Sequence, residues 1–120
     1  MLISHDPTNL LTVRASGAYA PGLRVKWSST PGRVELADDE ACIGVTKTRS
    51  YATGERIVVY DIKSCGSLPF TAAGPIARGA GFTSTTGGKV ASGAGGNEDY
   101  GIAMTAAGGD GAQFEGTSGR

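Results

Sequence analysis

The sequence has few of the residues on which catalytic and metal sites are built. Its 120 residues include one histidine, His5, and two cysteines, Cys42 and Cys65. A zinc site needs three or four histidine or cysteine ligands. A nucleophilic triad needs a base that a carboxylate orients, and no obvious carboxylate accompanies His5. We therefore expect no catalytic residue, no metal site and no cofactor.

The sequence also has no excess of charge and few aromatic side chains. Eleven basic residues balance eleven acidic ones, and aromatics make up 7% of the chain. Without net charge there is no overall field to gather nucleic acid or a membrane surface, and readers of single-stranded nucleic acid need aromatic platforms in a basic groove. No apolar run approaches the roughly 20 residues that span a bilayer. We expect neither nucleic acid nor a membrane as a direct partner.

Two groups of residues have both a chemical and a structural interpretation. Cys42 and Cys65 allow one bridge, but reduced thiols are favoured because the N-terminus has no secretory signal and a lone cysteine is commonly a small core residue. The segments Asp38-Asp39-Glu40 and Asn97-Glu98-Asp99 precede strands and could offer oxygen atoms to calcium. No spacing matches the EF-hand pattern, so solvated loop charge is favoured there.

Glycine is abundant, with 20 residues, and it separates short stretches of alternating apolar and polar residues. Such alternation predicts strands, and RIVVYD at 56–61 is the clearest one because it is β-branched and aromatic. Alternation over 23–27 predicts that Trp27 is buried and that Arg24 and Lys26 face water. The other predicted strands are 11–15, 43–45, 68–72, 80–83, 89–91, 100–105 and 112–115, with a helical turn at 38–41.

The two halves of the chain repeat each other at a displacement of 57 positions. An apolar residue lies between two glycines in each copy of the first repeated phrase, where it is expected to return to the core after a positive-φ turn. We therefore predict a duplicated unit of five strands, with the two copies packed around one common core. The matches are ASGAYAPG with AAGPIARG, IGV with YGI, GRV with GKV after a one-residue slip, and Gly54-Glu55 with Gly109-Asp110 after a two-residue slip.

These patterns predict an all-β, compact sandwich-like or barrel-like domain of about ten short strands with little helix. The domain covers 10–116, with repeat units at about 10–63 and 67–116, followed by a tail at 117–120. Residues 1–9 are predicted to form an N-terminal arm, in which the apolar residues Met1, Leu2 and Ile3 precede the polar residues His5 and Asp6. The arm either orders on a partner or is a frayed terminus.

The repeated segments have a known counterpart. The first half contains NLLTVRASGAYAPGLRVKW, IGV and ATGERIVV, and the second contains AAGPIARGAGF, GGKV, GNEDYGIAM and GGDGAQFEG. This pattern resembles the capsid cement, or decoration, proteins of tailed bacteriophages, in which an I-G-[VI]-A strand leads to a G-[DE] turn and a closing strand. Ala103 keeps the alanine of that motif, Thr46 replaces it in the first half, and the last strand ends less apolar than is usual.

The resemblance implies a β-tulip-like fold and a structural function on the virion, after synthesis in the host cytoplasm. Proteins of this family bind the outer surface of the assembled head, usually as trimers at three-fold or quasi-three-fold positions. They clamp neighbouring major capsid proteins against the pressure of packaged DNA and have neither catalytic residues nor a cofactor. The candidate capsid contacts in this chain are Met1, Leu2, Ile3, His5, Asp6, Arg14, Arg24 and Lys26.

Two other functions stay open on the sequence. A carbohydrate- or receptor-binding β-module, on a virion or on a cell surface, usually exposes aromatic side chains, so an exposed Trp27 would favour it. A β-fold hydrolase would have to use His5, Asp38 and Glu40, which form no recognisable motif.

Overall fold

The described part of the chain consists of short β-strands and one turn of 3-10 helix. The computed structural model describes residues 10–38, 42–61, 67–93 and 101–117. No helix in these ranges is long and apolar enough to cross a membrane. The strands are β1 (Leu10–Ala15), β2 (Arg24–Trp27), β3 (Arg33–Leu36), β4 (Gly44–Thr46), β5 (Arg56–Asp61), β6 (Ser67–Thr71), β7 (Gly81–Ser84), β8 (Val90–Ser92), β9 (Gly101–Ile102) and β10 (Gln113–Thr117), with the 3-10 turn at Thr86–Gly88.

The predicted all-β class and strand number are confirmed, with local differences. Strand β3 was recognisable only through the repeat, and β9 is much shorter than the predicted strand at 100–105. Strand β10 extends to Thr117, one residue beyond the predicted end of the domain. The arm at 1–9, the predicted helical turn beyond residue 38 and the link at 62–66 lie outside the described residues, so the remaining domain boundaries stay predictions.

The first unit is a closed five-stranded barrel with the order β1-β3-β2-β4-β5. Its neighbours are antiparallel apart from the parallel pair β1 and β3. Alternate residues of each strand point inward, as the pleat requires. The main cluster of buried apolar side chains in this unit consists of Val13, Ala15, Val25, Val34, Ile57 and Val59.

The second unit repeats the strand pairing of the first. Strand β10 pairs antiparallel with β6, as β5 does with β1, and β7 pairs antiparallel with β8 and β9, as β2 does with β3 and β4. Isolated bridges, parallel between Ala72 and Val90 and antiparallel between Ala103 and Gly116, take the places of the two remaining ladders. The predicted duplication of a five-strand unit is therefore present in the topology.

Backbone geometry corrects the predicted alignment of the last turn. The N–H of Gly54 donates to the carbonyl oxygen of Ala15 at 2.7 Å, and the N–H of Gly111 donates to that of Ala72 at 2.8 Å. Gly54 and Gly111 also share a positive φ, at 92° and 86°. The displacement of 57 therefore holds here, and the predicted match of Gly54 to Gly109 is wrong. The sequence offered two nearby glycines, and the left-handed conformation of the turn selects the second.

The repeated phrase behaves as its composition suggests. Gly22 and Gly79, which close the two copies, both have a φ of 85°, whereas neither opening glycine has a positive φ. Between the glycines, Ile76 is buried in the second unit and Tyr19 packs against the core of the first. The apolar residue thus returns to the core in both copies.

The two units do not share one hydrophobic interior, contrary to our prediction. Among the described residues, the buried apolar side chains form two clusters, one inside each unit. A barrel that closes on itself uses its inward-facing side chains for its own core, so little apolar surface is left for its neighbour. Val45 of β4 and Tyr60 of β5 are the exceptions, because both pack against the second cluster. That cluster contains Phe70, Phe82 and Phe114, whose ring centroids lie 4.9 to 6.0 Å apart.

Arg24 joins the two units, and its position corrects a prediction. The Arg24 side chain is fully buried, whereas Trp27 is 52% exposed. The prediction that Arg24 faces water and that Trp27 is buried is therefore wrong for both residues. Trp27 lies on the same side of β2 as the buried Val25, but it is the last residue of the strand and is exposed there. Arg24 points away from the barrel interior and meets the second unit instead of water.

The Arg24 guanidinium donates to backbone carbonyl groups of both units. In the first unit its Nη2 donates to the oxygens of Ala37 at 3.4 Å and Asp38 at 2.9 Å. In the second unit Nη2 donates to the oxygens of Thr85 and Lys89, the latter at 2.9 Å. One buried side chain therefore satisfies carbonyl groups that would otherwise be desolvated without a donor.

Close backbone approach requires glycine at equivalent positions of β4 and β9. A Cβ atom on Gly44 would collide with the carbonyl oxygen of Tyr60, and one on Gly101 with that of Thr117.

Gly44→Ala and Gly101→Ala should each lower the free energy of unfolding by about 2–3 kcal/mol, because the strands would have to move apart. Urea denaturation measures the change. Gly108→Ala is the matched control, since a Cβ there meets nothing within 4 Å; equal stability of all three variants would contradict the packing described.

Replacing Arg24 tests the joint between the units. Arg24→Met keeps the length of the side chain but removes its donors, so the free energy of unfolding should fall by about 3 kcal/mol or more. Arg49→Met, at an exposed position, is the control and should change it by less than about 0.5 kcal/mol. Denaturation followed by circular dichroism compares the two variants, and an Arg24→Met protein as stable as the control would show that the joint does not depend on Arg24.

Candidate functional site

Three arginines lie side by side on the outer surface of the first barrel. In the strand register Arg14 of β1 is the partner of Arg33 of β3 and of Arg56 of β5. Arg14 and Arg56 are exposed and Arg33 is half-buried. We call these three residues the arginine row.

The arginine row has no acidic partner in the described part of the chain. Arg14 Nη1 donates to the carbonyl oxygen of Gly54 at 2.8 Å, and Arg33 Nη2 would lie 3.6 Å from a Cβ atom placed on Gly54. The ion pairs among the described residues join Lys26 to Glu35 and Lys89 to Asp110. Like charges on neighbouring strands destabilise a sheet, so the row is a local cost to the fold.

The equivalent positions of the second unit touch the first unit, although only one of the three side chains is buried there. There, Thr71, Lys89 and Gln113 correspond to Arg14, Arg33 and Arg56. Gln113 Nε2 donates to the carbonyl oxygen of Pro21 at 2.9 Å, and the carbonyl oxygen of Lys89 accepts from Arg24. The same surface of the repeated unit is therefore partly in contact with protein in the second unit, where Thr71 is buried and Gln113 stays exposed, and open in the first.

Two glycines show the same difference between the units. Gly32 and its counterpart Gly88 both have a φ of 79°. A Cβ atom on Gly88 would lie 2.9 Å from the carbonyl oxygen of Arg24, whereas one on Gly32 would meet nothing within 4 Å. The open face of the first unit thus includes both the arginine row and the turn that precedes Arg33.

The structure separates the predicted contact residues. Arg14 lies in the arginine row, and Lys26 lies on β2, where its Nζ is 3.5 Å from Glu35 Oε2. Arg24 is buried between the units, so its predicted exposure is wrong. Arg33 and Arg56 could not be selected from sequence patterns, because only the strand register brings them beside Arg14. Met1, Leu2, Ile3, His5 and Asp6 lie outside the described residues.

Few other features of the described surface suggest chemistry. No group of three His, Cys, Asp or Glu residues that could hold a metal ion occurs in the described ranges. Burial, and secondarily the charge of Glu35, raise the pKa of the Tyr19 phenol, so this group stays protonated at neutral pH. A shallow cavity of about 220 Å³ is lined by Pro69, Thr105, Gln113, Phe114 and Glu115.

Exposed apolar and aromatic side chains are scattered over both units. Ile102 and Met104 are about half exposed in the second unit. In the first unit Tyr51 is 76% exposed and Trp27 is 52% exposed. Exposed aromatic rings are the feature that we expect of a carbohydrate-binding surface.

Comparison with known proteins gives one informative likeness. No family model matches the chain, and no curated protein matches it by sequence. Among solved structures, the chain is similar to the head fiber gp8.5 N base of bacteriophage phi29, with a TM-score of 0.71 and 15% sequence identity. The match covers 91% of this chain and 92% of the phage protein. The fold of this chain therefore resembles that of a protein from a bacteriophage head.

Proposed function

We propose that the protein is a structural component of a bacteriophage virion that binds the outer surface of the assembled head as a decoration or cement protein. The observation that carries the proposal is the fold match to the phi29 head fiber base over 91% of the chain. The match extends over both repeated units, so it is not a likeness of one common barrel alone. The sequence resemblance to cement proteins supports the same function independently.

The architecture suits a protein that binds and does not react. Two closely joined β units form a compact body, and the proposal assigns no reaction to the chain. On a head, many copies would each hold neighbouring major capsid proteins against the pressure of packaged DNA, so that modest contacts add up. We propose a homotrimer at three-fold or quasi-three-fold positions, because such a site presents the same capsid surface three times.

The contact residues we propose lie in the N-terminal arm and on the outer side of the first unit. The arm contributes Met1, Leu2, Ile3, His5 and Asp6, the open face contributes Arg14, and strand β2 contributes Lys26. Arg24 is omitted because it is buried in the joint.

A binding experiment with heads tests this function. Purified protein is added to heads that lack it, and both occupancy and the melting temperature of the heads are measured. We expect saturable binding and a higher melting temperature, because a ligand that binds only the intact shell stabilises it. Heads that already carry their full complement are the control and should take up none. Binding without a rise in the melting temperature of the heads would be consistent with a decoration protein but would exclude a cementing function. An absence of binding would contradict the proposal.

The exposure of Trp27 favours a second candidate, a carbohydrate- or receptor-binding module. Trp27 is the only tryptophan of the chain, so its fluorescence reports directly on a ligand that stacks against it. Under our main proposal, glycans from a screening array leave the emission unchanged. A saturable blue shift with one glycan, together with binding of that glycan on the array that is lost in Trp27→Ala and retained in Tyr51→Ala, would favour the second function instead.

A further inference from the structure

We propose that the arginine row of the first unit is the docking site for the capsid and that it receives a cluster of carboxylate groups on the capsid protein. The inference rests on the proposed function for the identity of the partner. It adds which face is used and what chemistry the partner presents. Its residues are Arg14, Arg33 and Arg56.

The charge of the row selects an acidic partner. Three guanidinium groups stand at adjacent register positions, and none forms an ion pair with a described residue. The repulsion between them is relieved when carboxylates bind. A guanidinium group can donate two parallel hydrogen bonds to one carboxylate, which gives both strength and orientation.

The second unit shows that this position of the fold binds protein. Its equivalent residues Thr71 and Gln113 face the turn at Gly22, where an added Cβ atom would lie 2.9 Å from Thr71 Oγ1 and 2.8 Å from Gln113 Nε2. The surface geometry of one repeat is thus already complementary to a protein segment. A phosphate-rich polymer is less suited to the row, because the next pair along β1 and β5 is Thr12 and Val58, which offers no ring for base stacking.

Charge argues against a second copy of this chain as the occupant. If another copy docked as the two units do within one chain, the segment equivalent to Pro21-Gly22 would be Arg78-Gly79. Arg78 is exposed and would face Arg14 and Arg56, so like charges would oppose each other. An acidic segment of the capsid protein meets no such repulsion.

A triple variant tests the inference on the same heads. Arg14→Gln, Arg33→Gln and Arg56→Gln are combined, and the control combines Lys47→Gln, Arg49→Gln and Arg78→Gln, which remove equal charge from exposed positions outside the row. Binding to heads is measured by co-sedimentation at two salt concentrations. The row variant should bind at least roughly tenfold more weakly, with a smaller dependence on salt, whereas the control should change by less than about threefold.

Competition identifies the class of partner. A ten-residue glutamate peptide should displace the wild-type protein from heads more effectively than a ten-residue thymidine oligonucleotide does. Stronger displacement by the oligonucleotide would overturn the assignment to carboxylates. Melting temperatures confirm that both triple variants fold.

The outcomes separate this inference from the proposed function. If the wild-type protein does not bind heads, the proposed function fails and this inference fails with it. If the wild-type protein and the row variant bind equally well, only the inference is overturned. If the row variant changes the oligomeric state in analytical ultracentrifugation and the control does not, the row contacts another copy of the chain and the inference is overturned as well.

Discussion

The joint between the two units is organised around one buried guanidinium group, beside which the N–H of Gly88 donates to the carbonyl oxygen of Ala37 at 2.8 Å. Arg24 leaves the barrel of the first unit and donates to carbonyl oxygens on both sides of the boundary, including those of Asp38 and Lys89. Each unit has its own apolar cluster, so most of the buried apolar surface stabilises the units separately, and Val45 and Tyr60 of the first unit add apolar contact across the joint. The hydrogen bonds of Arg24 are directional, so they favour one orientation of the two units, which non-directional apolar burial does not do.

The duplicated unit could be predicted from the sequence because its signals are local. Glycines at turns and apolar residues at alternating positions keep their spacing, and Gly22 and Gly79 share one φ value as the repeated phrase suggests. The separation into two cores could not be predicted in this way. Whether a strand set closes on itself depends on pairings such as that of β1 with β3, which join distant parts of the chain.

The candidate site was predictable only in part, for the same reason. Arg14 was selected because it lies on the polar side of a strand, but Arg33 and Arg56 join it only through the register of three strands. The alternation of apolar and polar residues was misleading for Arg24, because the side of a strand that faces away from a barrel interior is not always exposed to water. Burial there is decided by the neighbouring unit, which a pattern within one strand cannot reveal.

A joint made of hydrogen bonds between two separately packed bodies has a mechanical consequence. Hydrogen bonds depend on direction as well as on distance, so a force that moves one unit against the other acts first on the contacts of Arg24. Val45 and Tyr60 of the first unit pack against the second cluster, so the same force also reaches that hydrophobic interior. A load applied to one unit is therefore transmitted to the other through the joint.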